Sequence, residues 1–491
     1  MLKCIMVMEK KMANLKSAYE LANERIIAPK EKKRDDSEER PFDDFIEIPE
    51  FSNREEKMIE ERQTQYIQAG QIEQIVQSDQ IEQTEQIEQI ESVRVQPSEK
   101  ITFSDNYDDP IEVHWNGHFL DYGGFSRMNR AMAFGLSNKG VSVKLEIEPN
   151  ILNHVNKSTQ KQIELMTKTK IAPDAPKVYG VTVPSLLSHA GKKILYTMIE
   201  TSETIHKDYV GKLNMVDEIW VPTQYGKKIL QKNNVHPPIY VMPLGVDTER
   251  YCPDAKPFDF GMSLKGFVFI SVFRWSYRKG FDIMLRSFME EFDGTEDVTF
   301  LMVSRAVECP EEIGSNKIIS DFNDIKSFIN KDGALPHVAL YNKPIPERSM
   351  PGIYTAADAF ILISRGEGFG LPFLEASSCG LPVIGSYCSG QTDFLNDDNS
   401  YLVHPKNYVE AKINSNLSRM AKLCHFYEGQ MFPDFDSDSI KQTRFKMREV
   451  YENYSEAKRK NELLKNLISD NYTWDGAVSN VFNRLKNIRR K

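Results

Sequence analysis

Beyond residue 100 the chain settles into a rhythm. Short apolar runs rich in Val, Ile and Phe alternate with stretches whose apolar residues recur every three or four positions. Runs at 111–115, 141–147, 178–183, 193–199, 218–222 and 239–242 predict six strands in a first half. A second series opens with GFVFISVF at 266–273 and continues at 298–303, 338–341, 359–363, 382–385 and 401–404. Helical spacing follows the first run from Ser126 to about Leu136, restarts near Ile283 and returns over 373–378. Strands separated by helices need crossover connections, and those give parallel sheets covered on both faces. The expected fold class is α/β, with two doubly wound, Rossmann-like domains at 101–255 and 256–452. The join falls near 251–262, where Pro253, Pro257 and Gly261 gather. A basic helical segment at 453–491 closes the chain and is expected to pack back on the first domain.

The first hundred residues follow no such rhythm. Leu15, Ala18, Tyr19, Ala22 and Ile26 fall on one face of a candidate helix, and charges dominate from Lys30 to Arg62. Residues 71–91 read as seven triplets, QIE QIV QSD QIE QTE QIE QIE. A period of three drifts about 60° per triplet on a helix and alternates faces on a strand, so neither element buries the isoleucines. This is a low-complexity extension, mobile or partly helical, and its sharper reading is a binding segment for a protein partner.

Charge separates the same two regions. The net charge is −9, of which residues 1–100 hold −8 (15 basic against 23 acidic groups). The remainder is nearly neutral, which argues against a nucleic-acid footprint. Composition is 40% hydrophobic, enough for sizeable cores, and no run reaches the roughly 18 apolar residues of a membrane-spanning helix. The start, MLKCIMVMEKKM, lacks a secretory pattern, and the six dispersed cysteines form no CxxC, so a cytoplasmic setting with reduced thiols is expected. Lys157, Lys161, Lys168 and Lys170 have only Ile163, Leu165 and Met166 as apolar company, so membrane contact is peripheral at most and a solvated helix face is preferred.

Three loops at predicted strand ends hold the candidate chemistry, where open α/β sheets bind ligands. RWSYRKG at 274–280 offers Arg274 and Lys279 before a helix, suited to a diphosphate, or else a solvated basic loop. Residues 364–372, SRGEGFGLP, bring three glycines and Glu367, with Glu375 following in the helix. Two such carboxylates can accept vicinal hydroxyls, although Glu375 could equally complement the helix dipole. NGHFLDYGGF at 116–125 places Gly123 and Gly124 before a helix, as a phosphate-facing loop or an ordinary turn. Asp436 and Asp438 have metal-site spacing, but a capping or solvated role is the expected one.

Together RWSYRKG, the run EGFGLPFLEASSCGLPVIGS (367–386) and VMPLGVDTERY (241–251) resemble the GT-B fold glycosyltransferases of family four, the glycosyl transferases group 1. The resemblance covers about 110–480. It implies two domains facing each other across a cleft. It also implies a nucleotide-sugar donor, expected to be a UDP-sugar, and transfer with retention, without cofactor or metal. By the same resemblance Arg274 and Lys279 bind the donor diphosphate, Glu367 the donor sugar and Glu375 the nucleotide ribose. Phe369, Gly370 and Leu371 line the sugar and phosphate site, Gly123 and Gly124 close over the diphosphate, and Asn342 lies near the base. Two departures stand out: Phe273 replaces the glycine usual before the arginine, and the first half has no His-Glu-His signature. His118 and Glu200 are therefore the acceptor-side candidates, with a structural role the stronger reading for His118. The acceptor is a protein or a glycan. Alternatives that share the fold are a noncatalytic binding or scaffold protein, an epimerase and a phosphorylase.

Overall fold

The computed structural model describes residues 110–148, 155–182, 189–305, 311–329, 333–411 and 429–489. The extension at 1–100 and its triplets lie outside the described residues, as do Cys4, Cys309 and Cys424. The first half runs β1 (Glu112–Gly117), α1 (Gly124–Asn138), β2 (Ser142–Ile147), α2 (Lys157–Thr167), β3 (Lys177–Gly180), β4 (Lys193–Tyr196), α3 (Lys207–Leu213), β5 (Glu218–Val221), α4 (Gln224–Lys232) and β6 (Ile239–Val241). These six strands pair in parallel in the order β2-β1-β3-β4-β5-β6.

The second half runs β7 (Phe267–Arg274), a 3-10 turn (Tyr277–Lys279), α5 (Phe281–Glu291), β8 (Val298–Arg305), α6 (Glu311–Ser327) and β9 (His337–Tyr341). It continues with α7 (Met350–Thr355), β10 (Ala359–Leu362), α8 (Leu371–Ser378), β11 (Val383–Ser386) and β12 (Tyr401–Val403). Its six strands are again parallel, in the order β12-β11-β10-β7-β8-β9. The two doubly wound sheets are those the hydrophobic pattern predicts.

The physical reason is burial on both faces. Val298 to Val303 and Ala359 to Leu362 are buried without interruption, as strands between two helix layers must be. Helix α1 supplies one such layer, with Met128, Met132 and Leu136 at four-residue intervals fully buried. Two strands stop three residues early: β3 ends at Gly180 instead of 183, and β4 at Tyr196 instead of 199. Thr197 still bonds Trp220 through its amide at 3.0 Å, but its hydroxyl turns to the Thr182 carbonyl and the chain leaves the ladder.

Two strands escape the pattern. β13 (Asn407–Glu410) and β14 (Met431–Asp434) form an antiparallel pair after β12. The Ser202 amide of the first half donates to the Met431 carbonyl at 2.9 Å, so this pair touches both halves.

Three helices end the chain: α9 (Ser437–Glu452), α10 (Tyr454–Asn471) and α11 (Trp474–Arg489). Asp436 caps α9, accepting from the amides of Asp438 and Ser439 at 3.0 Å each. α10 lies on α8, with Asn461 donating to the Ser377 carbonyl. α11 returns to the first half, where Val478 abuts Gly135 of α1 and Arg484 forks onto buried Glu218 at 2.7 and 2.6 Å. On α2, Ile163 and Met166 point into the core while Leu165 is exposed, which leaves the lysines on a solvated face. Among the described residues no helix is long and apolar enough to cross a membrane.

Candidate active site

In the second sheet β7 and β10 are neighbours, and the chain leaves them toward opposite edges. Their C-terminal loops therefore diverge, and a crevice opens between them. Those loops are 274–280 and 363–370. Both departures are shaped by glycine: Gly280, at φ +69°, ends the first loop with a Cβ position that would overlap the Ile363 carbonyl. Gly370, at φ +102°, starts α8 from the left-handed region, which costs other residues strain. Gly366 lies so close to the Glu200 carbonyl of the first half that any Cβ would overlap it.

Lys279 and Glu367 meet in this crevice, Nζ to Oε1 at 2.6 Å, and both are largely buried. Burial alone would push the Glu367 carboxyl up. Lys279 and Arg278 outweigh it and hold the group below the usual carboxylate range. Burial holds Lys279 below its ordinary range, with Glu367 opposing. Arg274, at the end of β7, is exposed and has no hydrogen bond or ion pair among the described residues. Its guanidinium reaches toward Gly123 of the first half, to 4.0 Å from where a Cβ would stand. Phe273, the departure from the expected glycine, is buried and stacks on Trp275, which stacks in turn on Phe281.

The other candidates fall around this pair. Gly123 precedes α1, with its amide on the Asp121 carboxylate at 2.5 Å, and Gly124 has open space beside it. The Phe369 ring is turned into the core against Phe394 and Tyr472, so only its backbone can face a ligand. Leu371 is buried in the first turn of α8, and Asn342 follows β9 at the same end of the sheet. Glu200 lies across the interface, 3.2 Å from Arg278. His118 has a buried Nδ1 without a partner among the described residues.

Glu375 holds a different position from the loop carboxylate. It is 1% exposed, and both oxygens are engaged. Arg127 of α1 bonds Oε1, and the Tyr354 hydroxyl donates to Oε2 at 2.7 Å. Burial would lower the Arg127 pKa, but Glu375 more than offsets that and holds it above its ordinary value. Burial also keeps the Tyr354 hydroxyl protonated.

Several residues here take roles that the sequence did not assign to them. Arg278 donates to the Gly366 carbonyl and bridges Glu200 to Glu367. Arg365, 4% exposed, forks onto Asp282 at 2.8 and 2.7 Å and lies 3.7 Å over the Tyr277 ring, clamping the two loops together. Arg278 and Arg365 lie inside the runs RWSYRKG and SRGEGFGLP, although neither role could be read from them; nothing local marked Arg127. Among the described residues no cluster of three potential metal ligands occurs.

Residues 265–420, which hold both loops, match the model of the glycosyl transferases group 1. This second domain belongs to that family. The group 1 segment contains Arg274, Lys279, Glu367 and Glu375 together. O-antigen chain mannosyltransferase B of Escherichia coli is 42% identical over 67 residues, 14% of this chain and 17% of that protein. A GDP-mannose-dependent alpha-(1-6)-phosphatidylinositol monomannoside mannosyltransferase of Mycolicibacterium smegmatis is 27% identical over 168 residues, 32% of this chain and 40% of that one. The chain thus spans less than half the length of these curated relatives. Whole-chain likeness comes from structure. Sucrose-phosphate synthase of Thermosynechococcus elongatus superposes with a TM-score of 0.54 at 12% identity, over 77% of this chain and 99% of that one. HepE of Anabaena, solved with UDP and glucose, gives 0.54 at 13% identity over 77% and 100%. The two sheets share the GT-B fold of these proteins.

Proposed function

We propose that the chain is a glycosyltransferase that moves a sugar from a nucleotide-sugar donor, a UDP-sugar, onto a protein or glycan hydroxyl, with retention and without a metal. The observation that carries this reading is the meeting of Lys279 and Glu367 at the switch point of the group 1 domain, with Arg274 at the end of the neighbouring strand reaching toward Gly123. As the glycosidic bond breaks, an oxocarbenium-like centre forms and a diphosphate departs. Arg274 is exposed and its side chain has no partner among the described residues, and Lys279 keeps two ammonium protons beyond the one given to Glu367, so both can meet charge developing on the phosphates. Glu367, held ionised by Lys279 and Arg278, accepts from donor-sugar hydroxyls. Glu375 takes the ribose, and Asn342 lies toward the base. On the acceptor side, Glu200 is the candidate to receive the incoming hydroxyl, while His118, whose buried Nδ1 has no partner among the described residues, keeps the structural role.

A GDP-sugar is the second reading for the donor, favoured by the GDP-mannose-dependent relative, whereas HepE was solved with UDP. Incubation with UDP-glucose and GDP-mannose, with and without EDTA, tests the proposal by mass-spectrometric detection of released diphosphate. Release from one donor, unaffected by EDTA and reduced at least about a hundredfold in Glu367→Gln and Arg274→Ala, is the expected result. Undiminished release in either variant would move the site elsewhere. Deleting residues 1–100 should leave donor hydrolysis intact and abolish transfer only to a protein acceptor, if that segment delivers one.

A further inference from the structure

We propose that Arg127 is a positioning residue of the donor site supplied by the first domain: without nucleotide it occupies, on Glu375, the place of the donor's ribose. The proposal rests on the donor-site reading above. Both Glu375 oxygens are engaged, Oε1 by the Arg127 guanidinium and Oε2 by the Tyr354 hydroxyl at 2.7 Å. Each oxygen keeps a second lone pair, but the carboxylate is buried behind the arginine, so a pair of ribose hydroxyls can approach it only through the space that the Arg127 guanidinium now fills.

Position adds to the argument. Arg127 lies in the first turn of α1, three residues after Gly124, so it and the loop facing Arg274 are carried by one rigid helix. Releasing the guanidinium removes one tie between that helix and the second domain. The side chain of Arg127 is 19% exposed, against 1% for Glu375, so the arginine has a path to water and the carboxylate does not. A second bond, from Nη2 to the Tyr251 hydroxyl at 3.2 Å, holds the arginine at the junction. Donor binding and loosening of the two domains are then a single exchange of partners on Glu375. Apparent donor affinity falls by the fraction of molecules in which the exchange has not occurred, about tenfold if roughly nine in ten are latched.

The test pairs a stability cycle with nucleotide binding. Wild type, Arg127→Gln, Glu375→Gln and the double variant are unfolded in denaturant, and UDP and GDP are titrated into each by calorimetry. Arg127→Lys serves as a milder change should Arg127→Gln not fold cooperatively. Non-additive destabilisation, together with nucleoside diphosphate binding at least about tenfold tighter in Arg127→Gln than in wild type, is the expected result, with lysine between them. Additive destabilisation would overturn the latch itself. Coupled stability with equal or weaker binding in Arg127→Gln would overturn the competition and make Arg127 a structural tie or a direct nucleotide contact. Coupled stability with neither diphosphate bound by any variant would strike down the donor-site reading, and the competition with it.

Discussion

At residue scale the site is a chain of alternating charges: Lys279, Glu367, Arg278 and Glu200. Because Glu367 is held below its unfolded value of about 4.3, its contribution to stability is fully present above that pH. It is lost only as the pH falls through the lower folded value. The acid limb of transfer that belongs to Glu367 should therefore lie below the ordinary glutamate range, which a pH–rate profile of wild type against Glu367→Gln will show. Arg365 allows a separate prediction. Removing one partner of a buried forked pair costs about 3–5 kcal/mol, so Arg365→Ala should lose that much in denaturant unfolding while Arg365→Lys loses less. Legibility divides along the same lines. Lys279 and Glu367 could be read from motifs because each sits in its own loop at a strand end. Arg127 could not: its partner is 248 positions away in another domain, and a contact of that kind leaves no periodicity or spacing behind.

At the scale of elements, alternation and apolar runs exposed every strand that a core requires. β13 was missed because all four of its residues are exposed, so its sequence carries neither an apolar run nor a two-residue alternation. The early end of β4 was invisible for the opposite reason: Thr197, Met198 and Ile199 continue an apolar pattern after the ladder has ended. The aspartate pair before α9 makes a prediction at this scale. Asp436 serves as an N-cap, so Asp436→Ala should cost about 1 kcal/mol in thermal unfolding. Diphosphate release per folded molecule should stay unchanged, whereas a metal-binding role would abolish it.

For the whole molecule, the final helix matters most. Ala477, Val478, Val481 and Leu485 are buried as α11 packs on α1, and Arg484 with Lys192 neutralises a fully buried Glu218. Arg484→Ala should cost about 2 kcal/mol by loss of a charge-assisted pair, measured as a lower denaturation midpoint. Ending the chain at residue 473 would bare the apolar face of α1 and yield aggregated protein.

The return of that helix also fixes how the halves can move. The chain passes between them twice, once after Val246 and once at Thr473, and the two passes lie side by side, with the Val246 amide on the Tyr472 carbonyl at 2.8 Å. Two leaves joined at one knuckle in this way swing about a single axle. Opening about that axle must also part the contacts that bridge the halves elsewhere, Ser202 to Met431, Glu200 to Arg278 and Arg127 to Glu375, so the leaves are latched as well as hinged.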